Sequence, residues 1–179
     1  MILIFGPAGS GKSLHGQMLS ARFSWRWLSA GQLLRDMKSH EISKVQHSGA
    51  LVDNSIVNDL VARAIKKGHA EVDKIILDGY PREISQAEWL ISQDYSIGIV
   101  IVINVPRHEL LKRLHVRGRA DDADMSAIEE RFNIYQKDIK AIRGLFEEHG
   151  VRIIDIDGHG TVGEVHDRIV KELEKCKLV

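Results

Sequence analysis

The sequence predicts an α/β fold in three layers, a five-stranded parallel sheet with helices on both faces. Three observations lead there. Short apolar runs alternate with longer amphipathic stretches along the 179 residues, the pattern of successive βα units. The run Gly98-Ile99-Val100-Ile101-Val102-Ile103 is apolar at nearly every position, as a strand covered on both faces must be. The length, with 44% hydrophobic and 28% charged residues, suits one domain around one good core.

Taken in order, Met1 to Phe5 has no basic leader and runs straight into Gly6, so it reads as a first strand and not as a signal peptide. Helical periodicity follows over Lys12 to Ala21. A second strand is expected over Ser24 to Leu28, where Trp25 and Trp27 alternate as packing residues. Ser55 to Lys67 reads as a helix, Asp73 to Asp78 as the third strand and Ser85 to Ser92 as a helix. Gly98 to Val105 is the fourth strand, followed by helices over Arg107 to Val116 and Asp124 to His149. Gly144 suggests a weak point in that long helix and Gly150 its stop. Val151 to Ile156 is the fifth strand, and Val162, Val165, Ile169 and Leu173 form the apolar stripe of a last helix over Val162 to Lys175. Two segments fit the alternation poorly, the polar stretch Gly31 to Asn54 and the charged loop Arg117 to Met125. Insertions of this kind sit over the carboxyl ends of the strands in an open α/β sheet, so both are candidate lids on a single domain spanning 1–179.

Several function classes fall away. Lys plus Arg equals Asp plus Glu at 25 each, so no whole-chain field points to nucleic acid or membrane. Cys176 is the single cysteine, which excludes a disulfide framework. The nine histidines include no set with standard zinc spacing, so no structural zinc is expected. No apolar run reaches the roughly 18 residues of a membrane span. A soluble cytoplasmic monomer is expected.

The strongest local signal is Gly6-Pro7-Ala8-Gly9-Ser10-Gly11-Lys12-Ser13, which matches G-x-x-x-x-G-K-[ST] and lies between a strand and a helix. Glycines let successive N–H groups point into one concavity, and the helix adds its positive end. Lys12 supplies a mobile charge for the outer phosphates of a nucleoside triphosphate, and Ser13 a hydroxyl near magnesium. Asp78, ending the third strand, is placed to hold Mg2+ through water. Arg82 is placed to reach a phosphate, and Gln86, four residues on, shares a helical face with it and offers an amide to a base edge. A switch or motor needs one nucleotide site; this chain carries a second.

Over essentially its whole length the chain resembles the adenylate kinases of the nucleoside monophosphate kinase family. The matching pieces are Gly6 to Ser13, Ser29 to Arg35, Gly49 to Val52, Asp78-Gly79-Tyr80-Pro81-Arg82-Glu83-Ile84-Ser85-Gln86-Ala87, Arg113 to Asp122 and Arg131 to Tyr135. The resemblance implies a P-loop kinase domain with a monophosphate-binding insertion at about 29–58 and a short lid at about 116–125. It implies Mg2+-dependent transfer of the γ-phosphoryl of ATP to AMP. On the ATP side it points to Gly9, Ser10, Gly11, Lys12, Ser13, Leu14, Arg117 and Gly160. On the AMP side it points to Ala30, Arg35, Leu51, Val52, Gly79, Arg82, Gln86, Arg119 and Arg131.

Five Lys or Arg residues lie between Arg107 and Arg119. Each terminal phosphate carries roughly −1.5 to −2 charge, and two must meet in line, so fixed guanidinium groups suit the task. The resemblance assigns Arg113, Arg117, Arg119 and Arg131 to it, beside Lys12 and Arg82. Asp121 and Asp122 would orient these arginines or magnesium-bound water, with a plain helix N-cap as the alternative. Leu14 stands where adenylate kinases typically have threonine, Gln32 where they have an acid, and Ala30 where they often have threonine. Ser29-Ala30-Gly31 is closer to the UMP/CMP kinases, whereas Gln86 suits a purine edge. A UMP/CMP kinase and a regulatory nucleotide-binding protein with little turnover are therefore the alternatives, with a P-loop ATPase or GTPase lacking an acceptor further off.

Overall fold

The computed structural model describes residues 1–67, 74–118, 122 and 124–179. Five strands, β1 (Ile2–Phe5), β2 (Arg26–Ser29), β3 (Ile75–Asp78), β4 (Ile99–Asn104) and β5 (Arg152–Asp157), form one sheet in the order β2-β3-β1-β4-β5. Every neighbouring pair is parallel. The expected three-layer α/β fold and all five expected strands are present, shifted by a residue or two at their ends. Asp73, expected to open the third strand, lies outside the described residues.

Alternate residues of the strands build two cores, as the period of two requires. Leu3, Phe5, Ile75, Leu77, Val100 and Val102 face one layer of helices. That layer contains α2 (Ala30–Asp36), α3 (His40–Ser48), α4 (Asn54–Lys66), α5 (Ile84–Ser92) and α7 (Met125–Glu148). Ile2, Ile4, Ile76, Ile99, Ile101 and Ile103 face the other, made by α1 (Lys12–Phe23) and α8 (Val162–Lys175). A small third cluster, Leu110 and Leu114 with Ile128 and Phe132, fastens α6 (Arg107–Arg117) to the start of α7. Each fully buried Leu, Ile or Phe contributes about 1.5–3 kcal/mol, so the two sheet faces dominate stability.

Three local expectations need correction. The polar segment Gly31 to Asn54 contains two short helices, α2 and α3. Their caps explain them: Ser29 Oγ accepts from the Gln32 N–H and Ser39 Oγ from the Ile42 N–H, and Leu34 and Ile42 are buried. Gly144 does not interrupt α7, because Ile142 and Phe146 on either side are buried and packing outweighs a glycine cost of about 1 kcal/mol. Val162, the first residue of α8, leaves the apolar stripe and is 46% exposed; Val165, Ile169, Val170 and Leu173 are the buried apolar set. Among the described residues no helix is long and apolar enough to cross a membrane.

Candidate active site

The chain leaves β1 at Phe5 and turns through Gly6 to Gly11 into α1. Gly6 has φ 151°, and a Cβ there would lie 2.5 Å from Ser10 Oγ and 2.9 Å from the Ile103 carbonyl oxygen, so the turn closes only with glycine. Gly11, the N-cap of α1, has no side chain to accept from the first-turn N–H groups, which leaves them for an anion. Ser10 Oγ is buried with no hydrogen-bond partner. Lys12 Nζ donates to the Pro7 carbonyl at 2.9 Å, and Ser13 Oγ donates to Asp78 Oδ2 at 2.6 Å. Asp78 ends β3 directly beside Ile4 of β1, so the sheet register itself brings carboxylate and hydroxyl together. Oxygen donors of this kind are what Mg2+ takes, usually with several waters kept.

One cavity opens over the carboxyl ends of β1 and β3. It is lined by Lys12, Ser13 and Asp78, by Ala30, Arg35, Leu51 and Val52 from the insertion, by Gly79, Arg82 and Gln86, and by Arg117 and Arg131. Gly9, Ser10, Gly11, Leu14, Arg113 and Gly160 are not part of its lining, and Leu14 is 44% exposed. Arg119 and Asp121 lie outside the described residues. Gln46, Tyr135 and Ile139, which the sequence reading did not assign, line it as well. Gln46 Nε2 reaches the Gly31 carbonyl at 3.4 Å and ties α3 to α2. Gly49, at φ 82°, brings α3 against α7: a Cβ there would stand 2.4 Å from the Ala127 carbonyl oxygen. Gln32, the departure from the usual acid, accepts from Arg35 Nη2 at 2.9 Å and donates to Asp36 at 2.7 Å.

Arg82 and Gln86 meet, but not on one helical face. Helix α5 begins only at Ile84, after Glu83 in an extended conformation. The Arg82 backbone N–H donates to Gln86 Oε1 at 2.8 Å, Arg82 Nε donates to the Gly79 carbonyl at 3.0 Å, and Gln86 Nε2 donates to Asn54 Oδ1 at 2.6 Å. Asn54 in turn donates to Glu83 at 2.6 Å and to Ser85 at 2.9 Å. Nothing in the sequence links residue 54 to residue 86; only the packing of α4 beside α5 does.

The arginines divide into two groups. Arg117 and Arg131 converge on Asp122, whose side chain is 1% exposed. Burial pushes the Asp122 carboxyl up, but hydrogen bonds and charge from Arg117, then Arg131, outweigh it and hold the group below the usual carboxylate range. Asp122 therefore orients arginines; the N-cap of α7 is Asp124. Arg113, four residues before Arg117, turns elsewhere, pairing with Glu109 and donating to the Gly158 carbonyl at 2.9 Å. Glu109 also meets His159 Nδ1 at 2.8 Å, so α6 is joined to the loop after β5. The Glu109–Arg113 spacing of four is a signal the sequence carried. His15 is buried and stacks on His166 of α8, rings 6.1 Å apart and 12° from parallel.

The arrangement gathers Lys12, Arg35, Arg82, Arg117 and Arg131 around one cavity, and cationic groups so placed can hold anionic phosphates. The comparisons agree. The family model for adenylate kinase matches residues 4–151. An adenylate kinase of Mycobacterium leprae (strain Br4923) is 35% identical over 97% of this chain and 99% of its own length. One from Porphyromonas gingivalis (strain ATCC BAA-308 / W83) is 31% identical over 99% of this chain and 97% of its own. Adenylate kinase isoenzyme 1 of Caenorhabditis elegans is 30% identical over 98% of this chain and 88% of its own. The family model covers most of the chain and these relatives align over nearly its whole length, and on that evidence, with the sheet order in agreement, the chain belongs to the adenylate kinase family.

Proposed function

We propose that the protein is a Mg2+-dependent ATP:AMP phosphotransferase. The observation that carries this reading is one cavity lined by Lys12, Ser13 and Asp78, by Arg35, Arg82 and Gln86, and by Arg117 and Arg131, the last two held by the Asp122 carboxylate. ATP would place its phosphates in the loop from Gly9 to Ser13, with Leu14 and Gly160 flanking and Arg113 and Arg117 on the donor side. AMP would rest against Ala30, Leu51, Val52 and Gly79, with its phosphate at Arg35 and Arg82 and its base at Gln86. Arg119 belongs to the proposal on the resemblance alone.

Phosphoryl transfer leaves the protein little covalent chemistry, so positioning and charge stabilisation carry the rate. An AMP phosphate oxygen attacks the γ-phosphorus in line, the bond from γ-phosphorus to the β,γ-bridging oxygen breaks, and two ADP result. Arg117, Arg131 and Lys12 stabilise the charge spreading over the equatorial oxygens, and Arg82 fixes the attacking phosphate. Ser13, and Asp78 through water, would hold magnesium, which would supply positive charge to the phosphate oxygens of ATP. The proposed enzyme is monomeric and cytoplasmic.

A coupled assay with ATP and AMP, CMP, UMP or dAMP tests the reading. ADP formation fastest with AMP is expected. Preference for CMP or UMP would make it a pyrimidine nucleotide kinase, and ATP binding with no monophosphate turnover would make it regulatory.

A further inference from the structure

We infer that Asn54 is a positioning residue that fixes which way round the Gln86 amide faces the acceptor base, and so selects bases bearing an amino group beside a bare ring nitrogen. The inference rests on the acceptor site proposed above.

A primary amide is nearly symmetric in shape but not in polarity, and its orientation is decided by its partners. Gln86 is 2% exposed, and its amide meets a partner at each end. Its Oε1 accepts from the backbone N–H of Arg82, a group that can only donate. Its Nε2 donates to Oδ1 of Asn54. Asn54 is itself an amide and could turn over, but its NH2 meets the Glu83 carboxylate, which when ionised can only accept, and the Ser85 hydroxyl. The relay thus runs from Arg82 N–H through Gln86 and Asn54 to Glu83, with a single-polarity group at each end. Reversing either amide would set an N–H against an N–H at one end and an oxygen against a carboxylate at the other.

What remains unused on Gln86 is one lone pair on Oε1 and one hydrogen on Nε2, and Gln86 lines the cavity. That pair complements an amino N–H next to a ring nitrogen acceptor, the edge that adenine and cytosine share. Hypoxanthine, guanine and uracil present an oxo group next to a ring N–H, the reverse pattern. They would leave buried groups unpaired, the strongest kind of discrimination a polar site can apply. Asn54 does not line the cavity, so it acts only through Gln86. Without it the bond to Arg82 still restrains one end of the amide, but the plane can swing about that bond.

The test compares AMP with IMP, which have the same size and outline and differ in this one edge. The wild-type chain should favour AMP in kcat/KM. Asn54→Ala should lower the AMP/IMP ratio roughly tenfold, through the KM for the monophosphate, with the KM for ATP and the melting temperature little changed. Asn54→Asp combined with Glu83→Gln rebuilds the relay with its polarity intact, since the new carboxylate can accept from both neighbouring amides, and should restore the ratio. Equal losses on AMP and IMP, or an unchanged ratio in Asn54→Ala, would overturn the inference while leaving the kinase reading intact. A wild-type chain that phosphorylates no monophosphate would overturn both.

Discussion

Arg117 donates from Nε and from Nη2 to the two oxygens of Asp122, each at 2.6 Å, and Arg131 donates to one of the same oxygens at 3.1 Å. One buried carboxylate thus holds two guanidinium groups that would otherwise repel each other, and aims both at the cavity. Asp122→Asn should cut kcat about tenfold to a hundredfold, with smaller changes in either KM, because what is lost is aim and not a substrate contact. Steady-state kinetics with both substrates varied would separate these. Because the folded carboxyl titrates below its ordinary value of 3.8, its stabilisation is whole above that value and is lost as pH falls through the depressed one. The acid limb of the stability curve below about pH 4 should therefore be shallower in Asp122→Asn than in the wild type.

Arg82 is exposed and contributes little to packing, yet it lines the cavity in which the acceptor is proposed to bind. Arg82→Ala should lower kcat/KM for AMP by about a hundredfold or more and leave the melting temperature within a few degrees. Near-normal rates with AMP would show that the acceptor phosphate binds elsewhere. Circular dichroism melts alongside the kinetics separate lost chemistry from lost fold.

His15 supplies a pH dependence of another kind. Burial, then the charge of His166 and then that of Arg113, lowers its pKa from 6.5 to about 4, so it is neutral in the folded protein near pH 7. The unfolded chain takes up a proton below pH 6.5 that the folded chain refuses until about pH 4. Stability from this group is thus complete above 6.5 and falls across that window, by about 3 kcal/mol at most. Thermal melts from about pH 7 to about pH 4.5 should show the decline, and His15→Gln should flatten it.

Thr161 and Glu164 form a reciprocal capping box at the start of α8. Thr161→Ala should cost about 1 kcal/mol of stability with no change in nucleotide kinetics, read from the urea midpoint at constant slope.

The sheet was legible because β1, β3 and β4 are nearly continuous apolar runs and β2 and β5 are short apolar segments spaced between helical stretches, and the phosphate loop because its glycines and Lys12 sit at fixed spacing. Lys12, Ser13, Asp78, Arg82 and Gln86, all of which line the cavity, lie within eight residues of the carboxyl end of β1 or β3, so local spacing was enough to bring them to notice. The short helices α2 and α3 were not, since seven and nine residues carry little periodicity and their helicity comes from serine caps and from contacts across the domain. The partition of the arginines was hidden too. Arg113 and Arg117 share a helical spacing of four, yet one turns to Glu109 and the Gly158 carbonyl and the other to Asp122, partners that only the tertiary fold supplies. Asn54 and Glu83, 29 residues apart, leave no local trace at all.

The register of β1 against β3 sets Ile4 opposite Asp78, and Gly79 N–H reaches the Ile4 carbonyl at 3.5 Å. The loops that follow these two strands therefore spring from adjoining rungs of one hydrogen-bonded ladder. The spacing between the roots of those loops is set by the sheet and not by the helices around it. The gap across which a phosphoryl group would travel is thus measured from the buried centre of the sheet, and substitutions on the surrounding helices should change how often the proposed reaction turns over without changing how far the group must go.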